Sequence, residues 1–246
     1  MIIATTAAER PDLVDRGVDS SEVWPEYNRH GEVVNRWWNY LWEELPELQL
    51  MLYDDETDEV VAEGHTGAFA WDGRDETLPA SFDELIELVI TTKRAGDPVD
   101  TLTALAAEVL PAGRRRGLAA EILVAMRALA VSRGLTHLVA PVRPSWKDRY
   151  PLAPIDSYVR WRRDDGELLD PWMRLHERVG ARISTPMPES LRITGTVAEW
   201  TSWTGLVFPV SGSYVFPEGL APVEIDVDAD RGAYWEPNVW MIHPDC

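Results

Sequence analysis

A single cysteine, Cys246, occurs in the 246 residues, so no intrachain disulfide, no thiolate metal cluster and no buried cysteine nucleophile can be built from this chain. A reducing cytoplasm is the expected compartment. Lysine is nearly as scarce. With only Lys93 and Lys147, the 23 basic residues are otherwise arginine, which reads as the codon bias of a GC-rich genome. Positive charge as a whole is in deficit. Against 42 acidic residues it leaves a formal net charge of −19, a field that repels phosphate backbones and anionic lipid and argues against nucleic acid and membrane surfaces as general partners. A small cationic partner is favoured instead. Long apolar runs are missing too. Residues 200–217 are uncharged, but Gly205, Pro209, Gly212 and Pro217 break them into expected strands and turns. Residues 1–12 hold Glu9 and Arg10 where a secretory signal needs unbroken apolar chain, and they are expected to form a loose arm.

What is present is a globular composition, 45% hydrophobic and 26% charged, sufficient for one domain with a sizeable core. The expected organisation is a core over about residues 30–200 with an extension over 200–246. A first helix runs from Gly31 to Leu45, with Trp37, Trp38, Leu41 and Trp42 on its apolar face. Residues 48–53 and 60–71 read as a hairpin around the acidic turn 54–58. Ser81 and Glu84 form the S-x-x-E box that opens a second helix, which Gly96 and Pro98 stop. Residues 101–110 are apolar with period two, placing Thr101, Thr103, Leu105, Ala107 and Val109 on one face of a central strand. A helix over 116–132 and a strand over 135–142 follow, then an excursion to residue 170 broken by Pro144, Pro151 and Pro154. Asp170 caps a short helix, and strand-like segments fill 181–196 and 207–242. The class is α/β, a mixed sheet flanked by helices.

The chemistry concentrates where the central strand meets the next helix. Arg114-Arg115-Arg116-Gly117-Leu118-Ala119 has the form R-x-x-G-x-A, and a helix start offers unpaired N–H groups and partial positive charge to an anion. Gly117 lets a phosphate approach without a Cβ in the way. Preceded by Val109-Leu110-Pro111 and followed, one strand later, by Leu175-His176-Glu177-Arg178-Val179-Gly180-Ala181, this stretch resembles the GNAT superfamily of acyl-CoA N-acyltransferases. Its members carry V-x-P, then Q/R-x-x-G-x-G/A, then F-Y-E-K-L-G-F. The resemblance covers about residues 33–181 and implies a GNAT-like fold whose central sheet splays.

It also implies acetyl-CoA or another acyl-CoA as co-substrate and direct transfer to a primary amine of a small molecule or peptide. The pyrophosphate would rest on N–H groups of Arg114, Arg115, Arg116, Gly117, Leu118 and Ala119, and the pantetheine arm along Val109 and Leu110. Ser145 stands where members often carry a cofactor-touching asparagine. Two departures matter. His176 stands at the position of the family's general-acid tyrosine, and Thr103 where some members carry a glutamate base. His176 is therefore the candidate acid, with Tyr158 next in line. A non-catalytic acyl-CoA-binding module is the alternative that these departures keep open.

In this fold the acceptor enters opposite the pantetheine arm, so the excursion and the tail are expected to form its pocket, with Asp156, Glu199 and Trp203 as candidates. Glu63, His65 and Asp72 lack metal-ligand spacing, and no metal is expected. A homodimer is compatible with this reading.

Overall fold

The computed structural model describes residues 1–110 and 117–246, so Arg114, Arg115 and Arg116 lie outside the described residues. In chain order the regular elements are β1 (Ile2–Thr6), α1 (Glu32–Glu44), β2 (Leu50–Asp54), β3 (Glu59–Phe69), α2 (Phe82–Ala95), β4 (Thr101–Val109), α3 (Leu118–Ser132) and β5 (His137–Val142). They continue with α4 (Ile155–Tyr158), α5 (Pro171–Arg178), β6 (Arg182–Gly195), α6 (Val197–Thr204), β7 (Gly212–Tyr214), β8 (Val223–Asp226) and β9 (Arg231–Ile242). The strands form one sheet in the order β1-β2-β3-β4-β5-β9-β8-β7, with β6 also on β9. Among the described residues no helix is long and apolar enough to cross a membrane.

Local chemistry explains most boundaries. Ser81 accepts from the N–H of Glu84 at 3.1 Å to start α2, and Gly96 ends it at φ +69°, a left-handed position that suits glycine. Asp170 accepts from the N–H groups of Trp172 and Met173 to start α5. Two expectations are corrected. Residues 1–12 are no loose arm: β1 pairs with β2, and the helical turns after it bury Leu13 and Tyr27. The charges that argued for an arm are used locally, Glu9 accepting from the N–H of Thr6 and Arg10 pairing with Asp12 and Asp58. The stretch 200–217 does not open as strand, because Thr196 and Glu199 close a capping box and α6 runs through Thr204.

The feature that positions the site is a split in the sheet. β4 and β5 are parallel and pair only where Thr101–Thr103 meet His137–Val139. Beyond that point β4 stays with β3, while Val139–Val142 of β5 pair with β9. A wedge opens between them. β3 is clamped from both faces at its glycines: a Cβ on Gly64 would lie 2.8 Å from Met126 of α3, and one on Gly67 would lie 2.6 Å from Val89 of α2. The excursion packs Ile155, Tyr158, Val159 and Leu168 against Val142 and Val239 in a small core of its own.

Candidate active site

Alternation along β4 is interrupted by a bulge. Thr103 pairs with Gly67, Ala106 with His65 and Glu108 with Glu63, and the register skips Leu105. Because the partners 67, 65 and 63 alternate regularly on β3, Thr103, Ala106 and Glu108 share one face. The uninterrupted period-two reading is thereby corrected: Thr101 and Thr103 part company with Leu105, Ala107 and Val109. Glu108 is carried to the face opposite α3, the side on which Gly67 meets α2.

The wedge is the mouth of a cavity of about 870 Å³. Residues 104–109 of β4 form one wall and Ala140–Val142 of β5 the other, with Ala119 and Leu123 of α3, and Trp172, Leu175 and His176 of α5, completing it. The opposite side is closed by the N-terminal turns, through Trp24, Pro25, Asn28 and Arg29. Gly117 precedes α3 at φ +80°, and among the described residues a Cβ there would meet nothing within 4 Å. Leu118 is buried beneath it. Val109, Ala119 and the exposed Ser145 line the cavity; Leu110 is half-buried at the end of β4.

A β-branched residue at Gly117 would be forced out of the left-handed conformation and would put a side chain over the N–H groups at the helix start. Gly117→Val is expected to weaken acyl-CoA binding by at least about tenfold in calorimetry. Unchanged affinity would remove the helix start from the binding surface.

Two buried carboxylates line the cavity. Glu108 is 2% exposed and accepts from Trp24 Nε1 at 2.5 Å. Burial, with the negative charges of Glu63 and Asp19 nearby, raises its pKa above the ordinary 4.5 against the opposing effects of His65 and Trp24. Glu236 of β9 is neutralised in place: Arg143 ion-pairs with it, and Tyr234, Tyr27 and Asn28 donate to it.

His176 is also buried. Its Nδ1 lies 3.0 Å from Nε2 of His243, while its own Nε2 has no partner. Burial first, and the neighbouring His243 second, push its pKa well below 6.5, so it stands as a neutral imidazole. The other expected site residues are spread more widely. Tyr158 is buried with its hydroxyl donating to Asp170 at 3.0 Å, which fastens the excursion to the start of α5. Asp156 is exposed on α4, Glu199 is occupied in the capping box, and Trp203 stacks on His30 with ring centroids 4.1 Å apart. None of these four lines the cavity. Glu63 and His65 do come together with a carboxylate, but it is Glu108 from the next strand; Asp72 is exposed and engaged by Arg74.

Sequence reading passed over Glu108. The signal was present as one carboxylate in the apolar run Thr101-Leu102-Thr103-Ala104-Leu105-Ala106-Ala107-Glu108-Val109-Leu110, at the end next to the R-x-x-G-x-A stretch.

No family model matches the chain. It is 31% identical over 271 residues to the arginine N-acetyltransferase avaD of Aspergillus versicolor, covering 97% of this chain and 92% of that protein. Among solved structures, it is similar to the loading GNATL domain of CurA from Lyngbya majuscula, with a TM-score of 0.60, 15% identity and coverage of 99% and 96%. It is likewise similar to the GphF GNAT-like decarboxylase in complex with isobutyryl-CoA, at a TM-score of 0.57, 20% identity and coverage of 99% and 98%. The two solved structures share the fold, and the alignment with the arginine N-acetyltransferase spans nearly the whole of both chains: the chain belongs to the GNAT superfamily of acyl-CoA N-acyltransferases.

Proposed function

We propose that the protein transfers an acetyl group from acetyl-CoA to a nitrogen of a small cationic acceptor, with arginine as the acceptor to test first. The observation that carries this reading is a cavity running through the split sheet, with the start of α3 toward one end and a buried carboxylate in its wall. The 31% identical arginine N-acetyltransferase supports the acceptor class, as does a net charge of −19.

In this mechanism the CoA pyrophosphate is held by N–H groups at the start of α3, and the pantetheine arm lies in the wedge against β4. The bulge at Leu105 interrupts the ladder to β3 and leaves backbone there to polarise the thioester carbonyl. Glu108 takes one proton from the protonated nitrogen, which then attacks the carbonyl carbon; the C–N bond forms and the C–S bond breaks. The departing thiolate receives the second nitrogen-bound proton. In the tautomer in which His243 Nε2–H donates to Nδ1, His176 presents Nε2–H and steadies the thiolate by a hydrogen bond, the service a neutral imidazole can give. Fixing both reactants in one cavity supplies much of the remaining acceleration.

Thiol release from acetyl-CoA with arginine, its decarboxylated and α-N-blocked analogues and arylalkylamines tests this reading, with the acetylated nitrogen located by mass spectrometry. Arginine-dependent release that falls by at least about tenfold in His176→Ala is the expected result. Binding of acetyl-CoA with no amine-dependent release would overturn it in favour of a non-catalytic module.

A further inference from the structure

Glu108 has a back side. Glu63 lies directly across the β3–β4 ladder from it, and His65 stands two residues further along β3 on the same face. One ligand-type atom from each lies within 4.8 Å of the others, and the three residues are 4%, 2% and 2% exposed in chain order. Behind them is a second cavity of about 290 Å³, walled by these residues together with Asp15, Gly17 and Ser20. Glu108 belongs to the walls of both cavities.

We propose that His65 and Glu63 form a relay that carries the proton taken up by Glu108 through this second cavity to solvent. The proposal rests on acetyl transfer as read above. Each transfer to a protonated nitrogen removes two protons from it: one ends on the CoA sulfur and one must leave the protein. The front is closed during turnover, since both substrates fill the large cavity and Trp24 covers Oε1 of Glu108. The back is furnished for the purpose. His65 Nε2 is 3.5 Å from Oε2 of Glu63, and its Nδ1 is buried without a partner. An imidazole that accepts at one nitrogen and releases at the other moves a proton without moving an atom. One water between Glu108 and the ring completes the path over the observed separation.

Aromatic rings and carboxylates border the imidazole. Rings of Trp38 and Trp42 from α1 lie 4.8 and 5.2 Å from that of His65. Charged groups facing the trio from the N-terminal turns are Asp15 and Asp19, both negative and both drawing a proton outward. Glu63 is held by the N–H of Val18 at 3.1 Å, and a Cβ at Gly17 would lie 2.3 Å from its Oε1 and displace it.

The test is the steady-state rate of acetyl transfer to arginine by the whole protein at saturating substrates in dilute buffer, measured across pH, because Glu108 must lose its proton before each new cycle. Glu63→Gln and His65→Ala should each slow turnover by about tenfold or more while leaving affinity for acetyl-CoA unchanged. Added imidazole should restore the rate of His65→Ala, which a packing role for the ring would not allow. Should His65→Ala fail to fold, Glu63→Gln decides through buffer dependence, its rate rising with imidazole concentration while that of the natural protein does not. Natural rates in both variants, or a buffer-independent loss, would overturn the relay. So would one divalent metal ion per chain that survives dialysis and whose chelation abolishes turnover, since the trio would then be a metal site. A natural protein that releases no CoA with any amine marks failure of the transfer reading itself, and the relay falls with it.

Discussion

Replacing Glu108 by glutamine is expected to lower kcat by about 10²–10⁴-fold, the usual contribution of a positioned base, with little change in affinity for acetyl-CoA. The pH profile gives the sharper signature. Because burial raises the carboxyl above 4.5, the ionised form that accepts the proton is lost at a higher pH than for an exposed glutamate. Activity should therefore fall on the acid side with a midpoint above the ordinary carboxylate range, and this limb should vanish in Glu108→Gln. Glutamine keeps the size of the side chain and an acceptor for Trp24, so stability measured alongside should move little. If the variant keeps natural turnover at every pH, Glu108 is not the base and the amine loses its proton before binding.

The largest effect on folding is expected at Arg143. Its side chain ion-pairs with Glu236, which is 1% exposed, and its Nη2 donates to Tyr27 at 2.8 Å and to the carbonyl of Glu218 at 3.1 Å. Removing the cation leaves a carboxylate among Tyr27, Tyr234 and Asn28 without its ion-pair partner. Arg143→Ala should cost about 3–5 kcal/mol. In a chain of this size that is a fall in melting temperature on the order of 10 °C. The double variant Arg143→Ala with Glu236→Gln should recover much of the loss, since a neutral amide can stay among those donors. Equal losses in the single and double variants would show that packing of the arginine stem, and not its charge, is what matters.

Helices with local signals were legible in the chain. Ser81 with Glu84, Asp170 before Pro171, and Gly96 are instructions a residue or two away from what they control, and α2 and α5 form as those signals direct. The same chemistry at Thr196 and Glu199 was overlooked beneath the prolines and glycines that follow, and α6 was missed with it. The start of α3 at Leu118 was legible because a helix start is also local. Glu108 was not, for a reason of geometry: its partners Glu63 and His65 lie more than forty residues earlier, and the bulge at Leu105 decides which face of the sheet it takes. The acceptor side is a similar case. It was sought in the excursion, of which Arg143, Ser145, Trp146 and Asp148 do line the cavity while Tyr158 and Asp170 bond to each other, but Trp24, Pro25 and Asn28, in a stretch of short turns that carries no periodic signal, wall it as well.

The pairing of β5 with β9 has a consequence for how the molecule comes together. Val139–Val142 must wait for Val239–Ile242, about a hundred residues further along the chain, before that edge is covered. Contacts of such sequence separation form late and slow the search for the native state. Until they form, His137-Leu138-Val139-Ala140-Pro141-Val142 offers an apolar strand edge to any neighbouring chain, and Pro141 is the one position on it without an N–H to give. Refolding yield should therefore depend steeply on protein concentration.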